Sequence, residues 1–335
     1  MHGYYYQELN DVQRKMYQSL CDAVNARKES FFAESTDMQE ISRVLECVSY
    51  DRPEMFYVDL STVRMTVLGS NRSRVEIRYF YSPEETRHRI DAVEASIRQF
   101  LAGSDTRASD QDKCRLIHDR LVRSVVYDER AAAQGRNVPD ALTIEGVFLR
   151  HSAVCEGIAK AVVLLGERIG LSLPVVLGEA TTNGVNYRPH AWNMATINGL
   201  CAHLDVTWDI SLSTQLRFTR YDYFCLPDVD MRLDHIFGGL PPCFHGKGLT
   251  FFEKSCREFF DMDACRSYIS DKLRERSEVI YFKFVERSTP PEITAKKLDD
   301  TVTNMLRIRS LFMFDLEKSH NPVQGVYFYR VKKRL

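Results

Sequence analysis

Residues 188–209 read RPHAWNMATINGLCAHLDVTWD, and this stretch decides the fold that we predict. Two segments, 189–197 and 200–209, alternate in polarity in the manner of β-strands. Asn198-Gly199 lies between them, and Asn-Gly in a two-residue loop is the strongest short-range signal for a hairpin. The sequence therefore predicts an antiparallel hairpin over these residues.

One face of this hairpin carries polar side chains. Side chains two residues apart in a strand share a face, and in the predicted register Trp192 faces Asp205. We therefore expect His190, Trp192, Asp205 and Thr207 to project together, with His190 and Asp205 as diagonal neighbours close enough to interact. The other face is mostly apolar and is expected to be core: Ala191, Asn193, Ala195, Ile197, Leu200, Ala202, Leu204, Val206 and Trp208.

Upstream of the hairpin, Cys155 opens a segment of helical periodicity that ends near Gly170. Its apolar stripe is Ile158, Ala161, Val162, Leu165 and Ile169. In the first turn of a helix, unpaired N–H groups and the helix dipole favour a thiolate. A lone cysteine at a helix start is more often a small buried thiol. A histidine and an aspartate downstream favour a nucleophile instead, because they supply a proton acceptor and a group that orients it.

Two residues on the same hairpin face compete for these roles. Cys201 lies in the middle of a predicted strand without a helix dipole, so it is a poor thiolate candidate. His203 faces Met194 and fits an ordinary half-buried strand residue, but it stays open as an alternative base.

The segments AVCEG (153–157), HAWN (190–193) and LDVTWD (204–209) together resemble the transglutaminase-like superfamily, whose core is built like papain-type cysteine proteases. The resemblance covers about residues 106–245. It implies an α+β fold in which a helix bearing the cysteine packs on an antiparallel sheet bearing His and Asp. It also implies that Cys155 is the nucleophile, His190 the base and Asp205 the orienting acid. Tyr223-Phe224 and Asp234-His235 resemble a stretch that follows the core in bacterial members.

The sequence departs from calcium-dependent animal transglutaminases, which carry Gly-Gln before the cysteine and Trp after it. Ala153, Val154 and Glu156 hold those places here, and no acidic loop has calcium-ligand spacing. We therefore expect metal-independent acyl transfer through a thioester, with hydrolysis of a peptide or protein amide as its outcome. The alternatives are a protein-glutamine transamidase or acyltransferase, a binding module that keeps the fold without turnover, and a scaffold whose flanking parts do the work.

Composition limits the class of protein. Hydrophobic residues make up 44% of the 335 residues, charged residues 27%, and the net charge is −1, so a nucleic-acid footprint is not expected. No apolar run is long enough for a membrane span, and the first residues lack the pattern of a secretory signal. Nine scattered cysteines fit reduced thiols in a cytoplasm. Cys243 and His245 lack a matching second pair, so we expect neither a zinc site nor any cofactor.

Three parts are predicted along the chain: an N-terminal α/β module over 1–105, the catalytic core over 106–245 and a small C-terminal α/β appendage over 246–335. Residues 1–35 look helical, with Leu9, Val12, Met16, Leu20 and Val24 forming an amphipathic stripe. Oligomeric state cannot be predicted from these features.

Overall fold

The computed structural model describes residues 3–105, 107–135, 139–244, 246, 248–286, 288–308 and 314–333, with the side chain of Lys333 excepted. It is a mixed helix and sheet structure, in agreement with the predicted class.

The N-terminal part is a three-stranded antiparallel sheet with helices on it. Its elements are α1 (Tyr4–Gln7), α2 (Asp11–Asn25), β1 (Ser30–Ala33), α3 (Met38–Asp51), a 3₁₀ turn (Pro53–Met55), β2 (Val58–Gly69), β3 (Arg72–Tyr79) and α4 (Pro83–Phe100). The sheet order is β1-β3-β2. The prediction of helix up to residue 35 is wrong for β1, because Phe31 pairs with Val75 of β3. Val12 lies at the solvent edge of its helix, 36% exposed.

The central part contains the predicted hairpin. Its elements are α5 (Asp110–Ser124), β4 (Val126–Tyr127), α6 (Glu129–Gln134), a 3₁₀ turn (Pro139–Leu142), α7 (Ile144–Phe148), β5 (Ser152–Ala153), α8 (Cys155–Arg168), β6 (Val175–Ala180), β7 (Arg188–Ile197), β8 (Leu200–Leu204), α9 (Val206–Leu216), β9 (Phe224–Leu226), α10 (Asp228–Met231) and β10 (His235–Ile236). Five of the strands form an antiparallel sheet in the order β10-β6-β7-β8-β9, while β4 and β5 pair in parallel.

The C-terminal part is a four-stranded sheet, β11-β12-β14-β13. Its elements are α11 (Phe251–Lys254), β11 (Glu258–Phe259), α12 (Met262–Arg274), β12 (Val279–Phe284), α13 (Pro291–Ile308), β13 (Phe314–Asn321) and β14 (Val326–Lys333). Val93 and Ile97 of α4 and Phe328 of β14 are buried in one cluster with the central helices. Both flanking parts thus pack onto the central core, and the division into three parts stays a prediction. Within the described residues, none of the helices combines the length and apolar character that crossing a bilayer requires.

The register of the β7–β8 hairpin is the predicted one, since Ile197 pairs with Leu200 and Asn193 with Leu204. Asn198 and Gly199 both have positive φ, 52° and 80°, which is the backbone of a type I′ turn. Most of the predicted core face is buried, but Leu200 beside the turn is 38% exposed.

The second strand is shorter than predicted, because β8 ends at Leu204 and α9 begins at Val206. Asp205 caps this helix, and its Oδ1 accepts a hydrogen bond from the backbone N–H of Trp208 at 3.1 Å. The strand positions expected for Thr207 and Trp208 are therefore wrong. Trp208 is half-buried, and its ring lies 5.9 Å from that of His190 rather than on the opposite face.

Helix α8 runs through the middle of the central part, and the residues from Gly157 to Gly166 are all buried. A Cβ on Gly157 would lie 2.5 Å from the carbonyl oxygen of Ala141, so only glycine lets the 3₁₀ turn approach this helix so closely. The buried Asn193 of β7 donates from Nδ2 to the carbonyls of Ala159 and Leu173, at 3.0 and 2.9 Å. These contacts hold the start of α8 against the strand that carries His190.

Candidate active site

Cys155 is the first residue of α8. Its N-cap, Val154, makes no side-chain hydrogen bond to the first turn, so no capping side chain competes for the N–H groups there. The thiol is half-buried and lies close enough to the His190 ring to raise the pKa of that ring. The structure thus brings the predicted nucleophile and base together at a helix N-terminus, where a negative sulfur is stabilised.

The His190 side chain, on β7, is 8% exposed, and its Nε2 lies 2.8 Å from Oδ2 of Asp205. The ring is roughly parallel to that of Trp192, 5.8 Å away. Burial opposes a charged imidazole, but the charge and hydrogen bond of Asp205, together with Cys155, outweigh it and raise the pKa of His190 to about 10. Because Nε2 is engaged by Asp205, Nδ1 is the nitrogen left to exchange a proton with the thiol.

Asp205 is fully buried, and hydrogen-bond donors surround its carboxylate. Oδ1 caps α9, while Oδ2 accepts from His190 and also faces Nε2 of His235 at 3.2 Å. Burial alone would raise the pKa of Asp205, but the two histidines hold it below its usual range. The hydrogen bond predicted between His190 and Asp205 is present. Asp205 makes it from a helix cap rather than from a strand.

A buried network supports the start of α9. Asp209, one turn after Asp205, bonds Nε2 of His118 through Oδ2 at 3.0 Å, and its Oδ1 accepts the backbone N–H of Asp222 at 2.8 Å. Arg220 forms a two-pronged ion pair with Asp222, at 2.8 and 2.6 Å. Asp209 belongs to the LDVTWD segment, but the network was not identified from the sequence, since His118 lies 91 residues from Asp209.

His203, the alternative base, lies elsewhere on the same sheet and has other partners. It faces Met194 as predicted, but it is fully buried rather than half-buried. Its Nδ1 accepts a hydrogen bond from Nε1 of Trp192 at 3.0 Å, and its Nε2 lies 2.8 Å from Oδ1 of Asp228. Cys201 is half-buried in β8, away from any helix start. These contacts favour His190 over His203 as the base.

Among the described residues, two groups of side chains have metal-ligand spacing. One is His190, Asp205 and His235, the other His203, Asp228 and Cys243, with ligand atoms within 4.8 Å of one another in each group. The sequence offered no second pair to match Cys243 and His245, whereas in the fold His203 and Asp228 lie near Cys243. His245 lies outside the described residues.

Hydrogen bonding disfavours a metal in either group. The Trp192 N–H occupies Nδ1 of His203, so the proton of the neutral ring is on Nε2, where a ligand would need a lone pair. In the first group, both Nε2 atoms point at the same carboxylate oxygen. The expectation of a metal-free protein stays a prediction.

A cavity of about 470 Å³ lies between α3, β2 and the first turns of α8. Glu156 and Lys160 line it and form an ion pair of 2.7 Å. Tyr50 also lines it, with the Lys160 ammonium 5.2 Å from the centre of its ring. The residue next to Cys155 thus faces a space large enough for a side chain of a substrate.

No family model matches this chain, and no curated protein matches it. Among solved structures, it is similar to a TGase at 15% identity, over 53% of this chain and 50% of that one, with a TM-score of 0.32. It is also similar to a "putative cysteine protease" from Cytophaga hutchinsonii at 10% identity (44% and 61% covered, TM-score 0.27) and to a "putative protease" from Parabacteroides distasonis at 12% identity (44% and 36% covered, TM-score 0.24). The chain spans less than two thirds of each. At these TM-scores the likeness carries no argument about activity, so the chemistry rests on the site itself.

Proposed function

We propose that the protein is a cysteine enzyme of transglutaminase-like type that transfers an acyl group through Cys155, His190 and Asp205. The observation that carries this proposal is the chain of contacts from the thiol at the start of α8, through the His190 ring, to the buried Asp205 carboxylate. In this arrangement Cys155 is the nucleophile, His190 exchanges its proton, and Asp205 fixes the tautomer and orientation of the imidazole.

The proposed reaction begins from a thiolate–imidazolium pair, in which Nδ1 of His190 holds the proton of the Cys155 thiol. The thiolate attacks the carbonyl carbon of an amide, and the C=O electron pair moves to oxygen to give a tetrahedral oxyanion. The backbone N–H of Cys155 is one donor for that oxyanion. As the C–N bond breaks, His190 returns the proton to the leaving amine, and a thioester remains on Cys155. Water then attacks the thioester carbonyl and gives a proton to Nδ1 of His190. The C–S bond breaks, the acid leaves, and the thiolate–imidazolium pair is restored.

We propose hydrolysis of a peptide or protein amide, rather than protein cross-linking, as the outcome. Glu156 follows the nucleophile, and its charge is paired with Lys160, so the first turn of α8 presents a balanced ion pair to a substrate. The two outcomes differ only in whether water or an amine reaches the thioester first. A cytoplasmic location, the absence of a metal and the three-part division belong to the same proposal.

The test is to incubate the protein with a peptide amide library and to trap the acyl-enzyme by acid quenching and mass spectrometry. A mass increase located on Cys155, and absent in Cys155→Ala, is expected. The matched control is Cys256→Ala, which removes an exposed cysteine and should retain the adduct. A primary amine added to a parallel reaction before quenching decides the outcome: dominant amide product would make the protein an acyltransferase. No adduct with any amide, with an intact fold, would favour a binding module.

A further inference from the structure

His235 lies beside the candidate site, and the sequence analysis gave it no role there. It lies in β10 at the edge of the central sheet, paired with Ala180 of β6, and is fully buried. Its Nε2 faces Oδ2 of Asp205 at 3.2 Å, and its Nδ1 faces Oδ1 of Asp234 at 2.6 Å. His235 therefore lies between two carboxylates and touches the one that orients His190.

These contacts require a doubly protonated ring. A neutral imidazole has one donor nitrogen, whereas both nitrogens of His235 face carboxylate oxygens. Asp234 is held as an acceptor, because its Oδ2 receives hydrogen bonds from the Tyr223 hydroxyl at 2.7 Å and from Nε2 of Gln324 at 3.0 Å. Burial opposes the charge, but Asp205 and Asp234 outweigh it and raise the pKa of His235. His235 is an imidazolium.

The charged groups nearest His235 come from three segments. Asp205 caps α9, Asp234 precedes β10, and His190 on β7 has its ring 5.5 Å away. His203 on β8 is uncharged because Trp192 donates to its Nδ1. The Tyr223 hydroxyl donates to Asp234 and so adds no charge. When Cys155 is a thiolate, three negative groups, Cys155, Asp205 and Asp234, therefore face two positive ones, His190 and His235.

We propose that His235 is a positioning residue that shares Asp205 with His190 and supplies the second positive charge that the site needs when Cys155 becomes a thiolate. It acts through Asp205, which its Nε2 faces at 3.2 Å. Without it, the thiolate would form beside two buried carboxylates with only one cation, which costs free energy in a poorly solvated site. This inference rests on Cys155 being the nucleophile.

The test measures the alkylation rate of Cys155 by iodoacetamide from about pH 3 to 9, which needs no substrate. His235→Gln is expected to move the acid limb of this profile to higher pH by about 1, because a nearby charge shifts a pKa by about 1–3 and this one acts through Asp205. His203→Gln is the matched control: it removes a buried histidine beside Trp192 but no charge, so its acid limb should stay within about 0.3 of the parent.

A double variant separates charge from position. Asp234→Asn with His235→Gln removes a cation together with its anion, so the acid limb should return toward the parent. The charge of His235 has no such role if the acid limb of the Cys155 alkylation profile is unchanged in His235→Gln. The same conclusion follows if the limb stays fully displaced in the double variant. If parent Cys155 reacts no faster than Cys256 at acidic pH, the nucleophile assignment fails and the inference with it. Urea unfolding of each variant at pH 7 identifies any that are not folded.

Discussion

Two histidines on one face of the β7–β8 hairpin lie on either side of Trp192. His190 is charged and His203 is neutral. His190 and His203 each have Nε2 2.8 Å from an aspartate oxygen. The second nitrogen differs: in His190 it is left for Cys155, whereas in His203 it accepts the Trp192 N–H. The carboxylates differ as well, since Asp205 is fully buried and Asp228 is 27% exposed. A histidine–aspartate pair alone therefore does not mark a base, because the partner of the other nitrogen decides the charge.

The largest consequence of the charge on His190 should appear in the reactivity of its neighbour, Cys155. At about pH 6, iodoacetamide should label Cys155 roughly 100-fold faster than exposed Cys256, because the thiolate is the reacting form and a helix start with a neighbouring histidine favours it at Cys155. Burial raises the pKa of six other thiols, to about 11 for Cys21 and Cys47 and to about 12 for Cys114 and Cys265. It also raises the pKa of Cys225 and of Cys243. Peptide mapping of the labelled protein measures this, and equal labelling of Cys155 and Cys256 would refute it.

Replacing Asp205 and replacing Asp228 should have unequal effects on the rate of Cys155 labelling. Asp205→Asn removes the charge that keeps His190 protonated, so labelling of Cys155 at about pH 6 should fall by at least about 10-fold, given that an opposite charge moves a pKa by about 1–3. Asp228→Asn is the matched control, and labelling should stay within about twofold. Equal losses in the two variants would show that the effect is structural rather than electrostatic.

Stability should depend on pH in opposite directions at the two histidines. The pKa of His190 is raised to about 10, so its contribution is complete below the unfolded value of about 6.5 and is lost as pH rises toward 10. Burial, the largest cause, lowers the pKa of His203, so its contribution is present above about 6.5 and is lost as pH falls through the folded value.

Urea unfolding of His190→Gln and His203→Gln, each against the parent at about pH 5, 7 and 9.5, measures these contributions. The loss from His190→Gln should shrink between pH 7 and 9.5, and the loss from His203→Gln should shrink between pH 7 and 5. The same trend in both variants would contradict the assigned charges.

The smallest expected effect is that of a chelator. The groups around Asp205 and around Asp228 have metal-ligand spacing, but the ring nitrogens of their histidines are engaged in hydrogen bonds. EDTA at about pH 7.5 should therefore leave the rate of Cys155 labelling and the unfolding midpoint of the protein unchanged. Loss of either on chelation, with recovery on adding zinc or calcium, would overturn the metal-free assignment.

Local signals predicted the features that depend on neighbouring residues. The Asn198-Gly199 pair set the hairpin register, because two successive residues at positive φ make a turn whose twist matches the strands. The apolar stripe after Cys155 predicted α8, and the cysteine does begin it. Period-two alternation failed after Leu204, where Asp205 caps a helix instead of continuing the strand. Asp at a strand end is itself a cap signal and could have corrected this.

The sequence alone determined where the proposed nucleophile, base and acid lie along the chain. It also placed Cys155 at a helix start and His190 in a strand, since turn chemistry and periodicity act over a few residues. Only the tertiary structure decided which histidine is charged. His235 reaches Asp205 from a separate edge strand, and Trp192 fixes the tautomer of His203 across the sheet. The charge of a buried imidazole depends on the partners of both its nitrogens, and folding brings those partners from segments that are distant in sequence.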